Sequence, residues 1–247
     1  MGRTCVVSTH FDDAVLSSAS LIAAASSVVV TVFSEGPTTP GKISDWDRAC
    51  GFLLGDDVMA ARAAEDAAAL TMLGATPASL GFSEYRSAIP LWSRALIARG
   101  FRFARDRRGS VELTRRITED LADRVRQLDV ATCAFPLGIY HYDHRLTTLA
   151  CLNVARQRPD IRWLVYEDMP YAIESRQRRM FALRRIRAAG FSLEQLMIDE
   201  QLDAVRKREA VACYASQLRG LHGRYELALT SPERYHLLTP KAATATQ

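Results

Sequence analysis

Lysine is nearly missing from this sequence. Of 32 cationic residues only Lys42, Lys207 and Lys241 are lysine, and the rest are arginine. With the abundant alanine, that bias points to GC-rich coding rather than to a nucleic-acid surface, and the formal charge is only +4. The Arg-rich stretches 94–108 and 176–187 read as solvated helix faces and a loop, so no nucleic-acid partner is expected. There is no CxxC pair among Cys5, Cys50, Cys133, Cys151 and Cys213. Cys5 and Cys133 fall inside predicted strands as small buried hydrophobes, a pattern that suits a reducing compartment. No apolar run approaches the roughly 18 residues of a membrane-spanning helix. A strand is entered by residue 4, which leaves no room for a signal peptide. The expected location is the cytoplasm. Histidine is also scarce, at five residues, and three of the five fall in two short clusters.

The chain of 247 residues, 48% of them apolar, can bury a full core as one large α/β domain. Short, largely apolar runs predict strands at Thr4–Ser8, Val28–Phe33 (continuously β-branched but for its last residue), Ala78–Phe82, Val130–Phe135 and Ile161–Tyr166. Helical periodicity lies between them at Asp13–Ser27, Asp56–Leu73, Ser110–Leu128 and His144–Gln157, with Gly74 placed to end the second helix. Four successive βα units predict a mostly parallel sheet flanked by helices, and a 3-2-1-4-5 order would make the first and fourth strands neighbours. Ser34–Gly55 is a long loop at the carboxyl end of a strand, and 83–109 reads as irregular. Further on, Ala172–Ala189 is basic and helical, Phe191–Ile198 is a candidate strand, Leu202–Leu221 reads as one helix, and Tyr225–Thr239 closes the chain. Residues 1–240 form a single domain in this reading, and 241–247 fray.

The first histidine cluster is Ser8-Thr9-His10-Phe11-Asp12-Asp13, at the carboxyl end of the first strand. The second is His141-Tyr142-Asp143-His144, after the fourth. If those strands are neighbours, both clusters open into the crevice at the switch point, where open α/β sheets bind ligands. Hydrolytic metal sites use three N or O side-chain ligands and keep a position for water. His10, Asp13 and His144 can supply three. Asp12 is then spare as a general base, His141 can face the oxyanion and the leaving amine, and Asp143 can orient one of the imidazoles. Asp12 and Asp13 are equally acceptable as helix-capping residues. His222 and His236 have no carboxylate beside them in sequence and read as surface or packing residues.

Ser8–Ser17 and His141–His144 resemble the two signature motifs of the PIG-L/LmbE-like zinc N-deacetylases. Arg62-Ala63-Ala64-Glu65 through Leu73-Gly74 is similar to the helix that lies between them in that family. Tyr85-Arg86 and Tyr214-Ala215-Ser216-Gln217 are similar to features of bacterial members. The resemblance implies a Rossmann-like fold and a metal-dependent amidase that removes an acyl group, usually acetyl, from an amino sugar of the N-acetylglucosamine type. It implies His10, Asp13 and His144 as zinc ligands, Asp12 as base, His141 as the residue facing oxyanion and amine, and Arg62 as a sugar-hydroxyl contact. Glu84 is the nearest candidate for an acidic sugar contact.

Phe11 and Tyr142 replace prolines of the family motifs, Ala14 stands where many members carry Glu, and Ile139 stands where some carry a tyrosine. The expected partner is a small-molecule N-acetylated sugar conjugate, and the sequence leaves an oligomer open. The expected cofactor is Zn²⁺, with Fe²⁺ suited to the same ligands. Trp46 and Trp92 either line an aromatic substrate cleft or pin their loops to the core. The alternative to an enzyme is a non-catalytic metal- or sugar-binding module of the same fold.

Overall fold

The computed structural model describes residues 2–24, 26–36, 43–84, 104–196 and 202–241. Among them the chain runs β1 (Thr4–Ser8), α1 (Asp13–Ala24), β2 (Ser27–Glu35), α2 (Asp45–Ala49), α3 (Val58–Leu73), β3 (Thr76–Ser83) and α4 (Ala104–Leu128). It continues through β4 (Thr132–Pro136), α5 (Tyr142–Gln157), β5 (Arg162–Tyr166), α6 (Tyr171–Glu174), α7 (Arg176–Ala188) and β6 (Phe191–Leu196). It ends with α8 (Ala204–Ala212), α9 (Ala215–Leu221), α10 (Glu226–Thr230) and β7 (Tyr235–Pro240).

The described strands form one seven-stranded sheet in the order β3-β2-β1-β4-β5-β7-β6. The parallel part has the 3-2-1-4-5 order that makes β1 and β4 neighbours, with Cys5 opposite Val28 on one side and Cys133 on the other. β1 is buried along its whole length, and so are the first seven residues of β2. A strand with no exposed side chain needs a helical layer on each face of the sheet, which right-handed βα crossovers supply. β1 and β4 are therefore central neighbours, and the segments leaving their carboxyl ends are brought together.

The sheet is larger than the parallel pattern suggests. β7 runs antiparallel to β5 and β6 antiparallel to β7. The single helix expected over Leu202–Leu221 is two, α8 and α9, divided at Cys213–Tyr214. Tyr214 is fully buried there, its hydroxyl donating to Asp66 Oδ1 at 2.6 Å. The long loop 34–55 contains α2, whose N-terminus is closed by a reciprocal Ser44–Asp47 capping box. α4 begins at Ala104 and passes through Gly109, so the end of the stretch expected to be irregular is helical, and 85–103 lie outside the described residues. Most of the expected tail, 242–247, lies outside the described residues.

α1 breaks its helical geometry at Ser18 (φ −149°). The N–H of Ser20, two residues on, donates to the buried carboxylate of Glu233 at 3.1 Å. Lys207 Nζ at 2.8 Å and the Tyr235 hydroxyl at 2.6 Å satisfy the same carboxylate. A buried charge is stable only when paired in this way, so the C-terminal segment fixes the helix that begins at Asp13. No described helix is long and apolar enough to cross a membrane.

Candidate metal centre

His10 leaves β1 in a turn whose geometry is set by Ser8. The Ser8 hydroxyl donates to the His10 carbonyl and accepts the N–H of Ala14 at the start of α1. Asp13, in the first turn of that helix, accepts the His10 backbone N–H through Oδ2 at 2.9 Å. The same oxygen lies 3.3 Å from His10 Nδ1 and 3.2 Å from His144 Nε2. The two clusters predicted from sequence meet at this carboxylate.

His144 is buried in the first turn of α5, and its ring is held from behind. Asp168, just past β5, places Oδ1 2.6 Å from His144 Nδ1. Its other oxygen accepts the N–H groups of Gly138 (2.9 Å) and Ile139 (3.3 Å). Gly138 has φ 82°, and a Cβ there would meet the Thr148 hydroxyl, the Arg185 guanidinium and the His144 carbonyl. The bend is open only to glycine. Asp168 thus orients one imidazole and shapes the loop that delivers His141. The sequence reading did not single it out. The available signal was a Glu-Asp pair ending a buried strand at the sheet's carboxyl edge.

On the other side, Asp143 Oδ2 lies 3.4 Å from His10 Nε2 and 3.8 Å from His141 Nδ1. His10 therefore turns Nδ1 toward Asp13 and Nε2 toward Asp143. Two donor triads result, His10–Asp13–His144 and His10–His141–Asp143, with the ligand atoms of each all within 4.8 Å of one another. Two imidazoles and a carboxylate at this spacing form a donor set that fits Zn²⁺ or Fe²⁺.

The electrostatics fit a cation. Burial opposes the charged form of both imidazoles, yet their carboxylate neighbours outweigh it. His10 is held well above its ordinary pKa by Asp13 and Asp143. His144 is raised to about 10 by Asp13 and Asp168. Burial would raise Asp13, but the two imidazoles reverse this and hold it far below the usual carboxylate range. Burial and the neighbouring Asp13 push Asp12 the other way, up to about 6, against the pull of His10 and Arg62.

No protein-family model matches the sequence, and no curated protein matches it. Solved structures do. A deacetylase from the teicoplanin biosynthesis pathway, in complex with bog, matches with a TM-score of 0.79 at 22% identity, over 99% of this chain and 100% of that one. The A40926 pseudoaglycone deacetylase Dbv21 matches at 0.70 and 25%, over 98% of each chain. The chain has the fold of the PIG-L/LmbE-like deacetylases. A zinc-inhibited form of the teicoplanin deacetylase Orf2 also matches, at 0.75 and 21%, over 98% of this chain and 100% of that one.

The remaining predicted positions distribute unevenly on this deacetylase fold. Arg62 is buried on α3, with Nη2 2.8 Å from Asp47 Oδ1 and its charge felt by Asp12. Its Nε is buried without a partner among the described residues. Glu84 follows β3, and its charge raises the His10 imidazole. Trp46 is 40% exposed on α2, and its ring packs against Gly220 on α9, the loop-pinning contact. No hydrogen bond or ring contact links it to the histidines among the described residues. Tyr85, Arg86 and Trp92 lie outside the described residues.

His236 requires a correction. It was expected to lack carboxylate company, but its Nε2 lies 2.8 Å from Oε1 of the buried Glu167, which also binds Arg179 Nε at 2.6 Å. The partner is 69 residues away in sequence and comes from the antiparallel pairing of β7 with β5. His222 is exposed, in a left-handed conformation at the end of α9, as a surface residue would be.

Proposed function

We propose that this protein is a metal-dependent N-deacetylase that hydrolyses the N-acyl group, in the first instance N-acetyl, of an amino-sugar conjugate. The observation that carries the reading is the convergence of His10, Asp13 and His144 on one point, with Asp12 outside the triad and electrostatically coupled to Asp13 and His10. The fold neighbours described above are deacetylases, one of the teicoplanin biosynthesis pathway and one of the A40926 pseudoaglycone, which supports the same class of reaction.

His10, Asp13 and His144 would hold the ion. A Zn²⁺ or Fe²⁺ ion there supplies a Lewis acid for the amide carbonyl and acidifies water. Asp12 takes the proton from the attacking water as the C–O bond forms. His141, in its protonated form, faces the oxyanion and passes a proton to the amine as the C–N bond breaks, so acetate and a free amino sugar leave. Asp143 orients His141 and His10, and Asp168 orients His144. Arg62 donates to a sugar hydroxyl, and Glu84, whose charge reaches the His10 imidazole, is the acidic sugar contact. The free thiols, with no disulfide among the described residues, suit a cytoplasmic enzyme.

The test is acetate release from N-acetylglucosaminides by metal-loaded protein. Asp12→Asn should keep its metal and lose at least about 100-fold in kcat. Full activity in that variant contradicts the assignment of the base. Stoichiometric metal with no turnover of any N-acyl sugar would instead favour a binding module.

A further inference from the structure

Beside the metal triads stands an aromatic and cationic cluster that the chemistry above does not use. Tyr140, immediately before His141, is 56% exposed and has φ 70°, a conformation bulky residues rarely adopt. Its loop has little freedom to relax. The preceding N–H groups are bound by Asp168, and Arg185 Nη2 donates to the carbonyls of Leu137 and Gly138 at 3.2 and 2.8 Å. Strain held in place by surrounding structure is characteristic of ligand-contacting positions.

The Tyr140 ring stacks on Tyr171 (centroids 5.2 Å apart, planes within 8°), and Tyr171 in turn meets the His144 ring edge-on at 5.6 Å. The cluster is therefore one ring away from the candidate metal ligands. The Arg178 guanidinium sits 4.5 Å from the Tyr140 centroid. Neighbouring arginines are neutralised, Arg179 by Glu167 and Arg224 by Glu174. Arg178 is exposed and has no carboxylate partner among the described residues. Stacking on a ring restrains a guanidinium while leaving its N–H edge free to bind a carboxylate with two parallel hydrogen bonds. Three residues along the same helix, Phe181 is 66% exposed, which adds apolar surface next to the cation.

We propose that Tyr140, Arg178 and Phe181 form a specificity subsite at the rim of the metal centre for an aryl group carrying a carboxylate, borne on the amino-sugar portion of the substrate. The proposal rests on the deacetylase reading for its substrate. The subsite itself is defined by the free cation, the two exposed rings and their junction with His144.

The test has two arms. In the first, kcat/KM is measured for methyl, phenyl and 4-carboxyphenyl N-acetyl-glucosaminides with wild type, Arg178→Ala and Phe181→Ala. The carboxyphenyl substrate should be preferred over phenyl by roughly tenfold, through KM. Arg178→Ala should abolish that preference and leave the methyl substrate unchanged. Phe181→Ala should narrow the gap between phenyl and methyl. In the second arm, binding of the phenyl and 4-carboxyphenyl compounds to metal-free full-length protein is measured by calorimetry. This arm decides the inference even if no substrate is turned over, an outcome that would sink the deacetylase reading alone. Equal affinity for the two compounds, or a carboxylate preference that survives Arg178→Ala, overturns the subsite. A dimer that dissociates on Phe181→Ser would also overturn it, by assigning the patch to a second copy of the chain.

Discussion

Asp168 Oδ1 lies 2.6 Å from His144 Nδ1, with both side chains buried. This contact fixes which ring nitrogen of His144 faces Asp13 and holds the ring in place. Removing such a partner from a metal-binding histidine typically lowers affinity by about 10–100-fold. Asp168→Asn should therefore weaken metal binding by about that factor, read by competition against a chelator of known affinity. It should affect affinity more than kcat at saturating metal.

Metal uptake should depend steeply on pH. His144 is held up to about 10 and His10 well above its ordinary value, so in the metal-free protein a cation competes with protons on both rings. Neutral imidazole is the ligand, so affinity rises with pH and falls as acid is added. Between pH 6 and 8 it should change about tenfold per unit for each proton displaced. Calorimetry in buffers of different ionisation enthalpy counts those protons.

Asp66 should make the protein less stable as pH rises through the neutral range. Burial pushes its carboxyl up to about 7, although the Tyr214 hydroxyl donates to it. The folded state thus binds a proton that the unfolded chain, near pH 4, has already released. Stability is full below about pH 4 and falls, by at most about 1.4 kcal/mol per unit, until pH 7. Asp66→Asn should flatten this slope in urea titrations across pH 4–8. An unchanged slope would place the titration elsewhere.

Gly138→Ala should destabilise the protein by about 1–3 kcal/mol, because φ 82° is strained for alanine and the new methyl meets Thr148, Arg185 and the His144 carbonyl. The displaced loop carries His141, so catalysis should fall more than metal affinity. Thermal melts and metal titration on the same variant separate the two effects.

β2 was legible because the β-branched run Val28–Phe33 admits little else, and β4 because a short apolar run, Val130–Phe135, ends at Pro136. The two histidine clusters were legible because each sits where a parallel strand ends. What stayed hidden is non-local. Asp168 meets His144 across 24 residues with no spacing signal, and His236 finds Glu167 only once β7 pairs with β5. The break at Tyr214 is invisible in a helical pattern until Asp66 stands beside its hydroxyl. The second triad, His10–His141–Asp143, depends on which way the His10 ring turns, and no sequence states that.

The central claim is a single ion shared by the two clusters. Anomalous diffraction from crystals loaded with Zn²⁺ or Fe²⁺ tests it most directly. The expected map has one peak within coordination distance of His10, Asp13 and His144, and Asp12 is not among the ligands. A peak at His141 and Asp143 instead, or no peak between His10 and His144, would contradict the account.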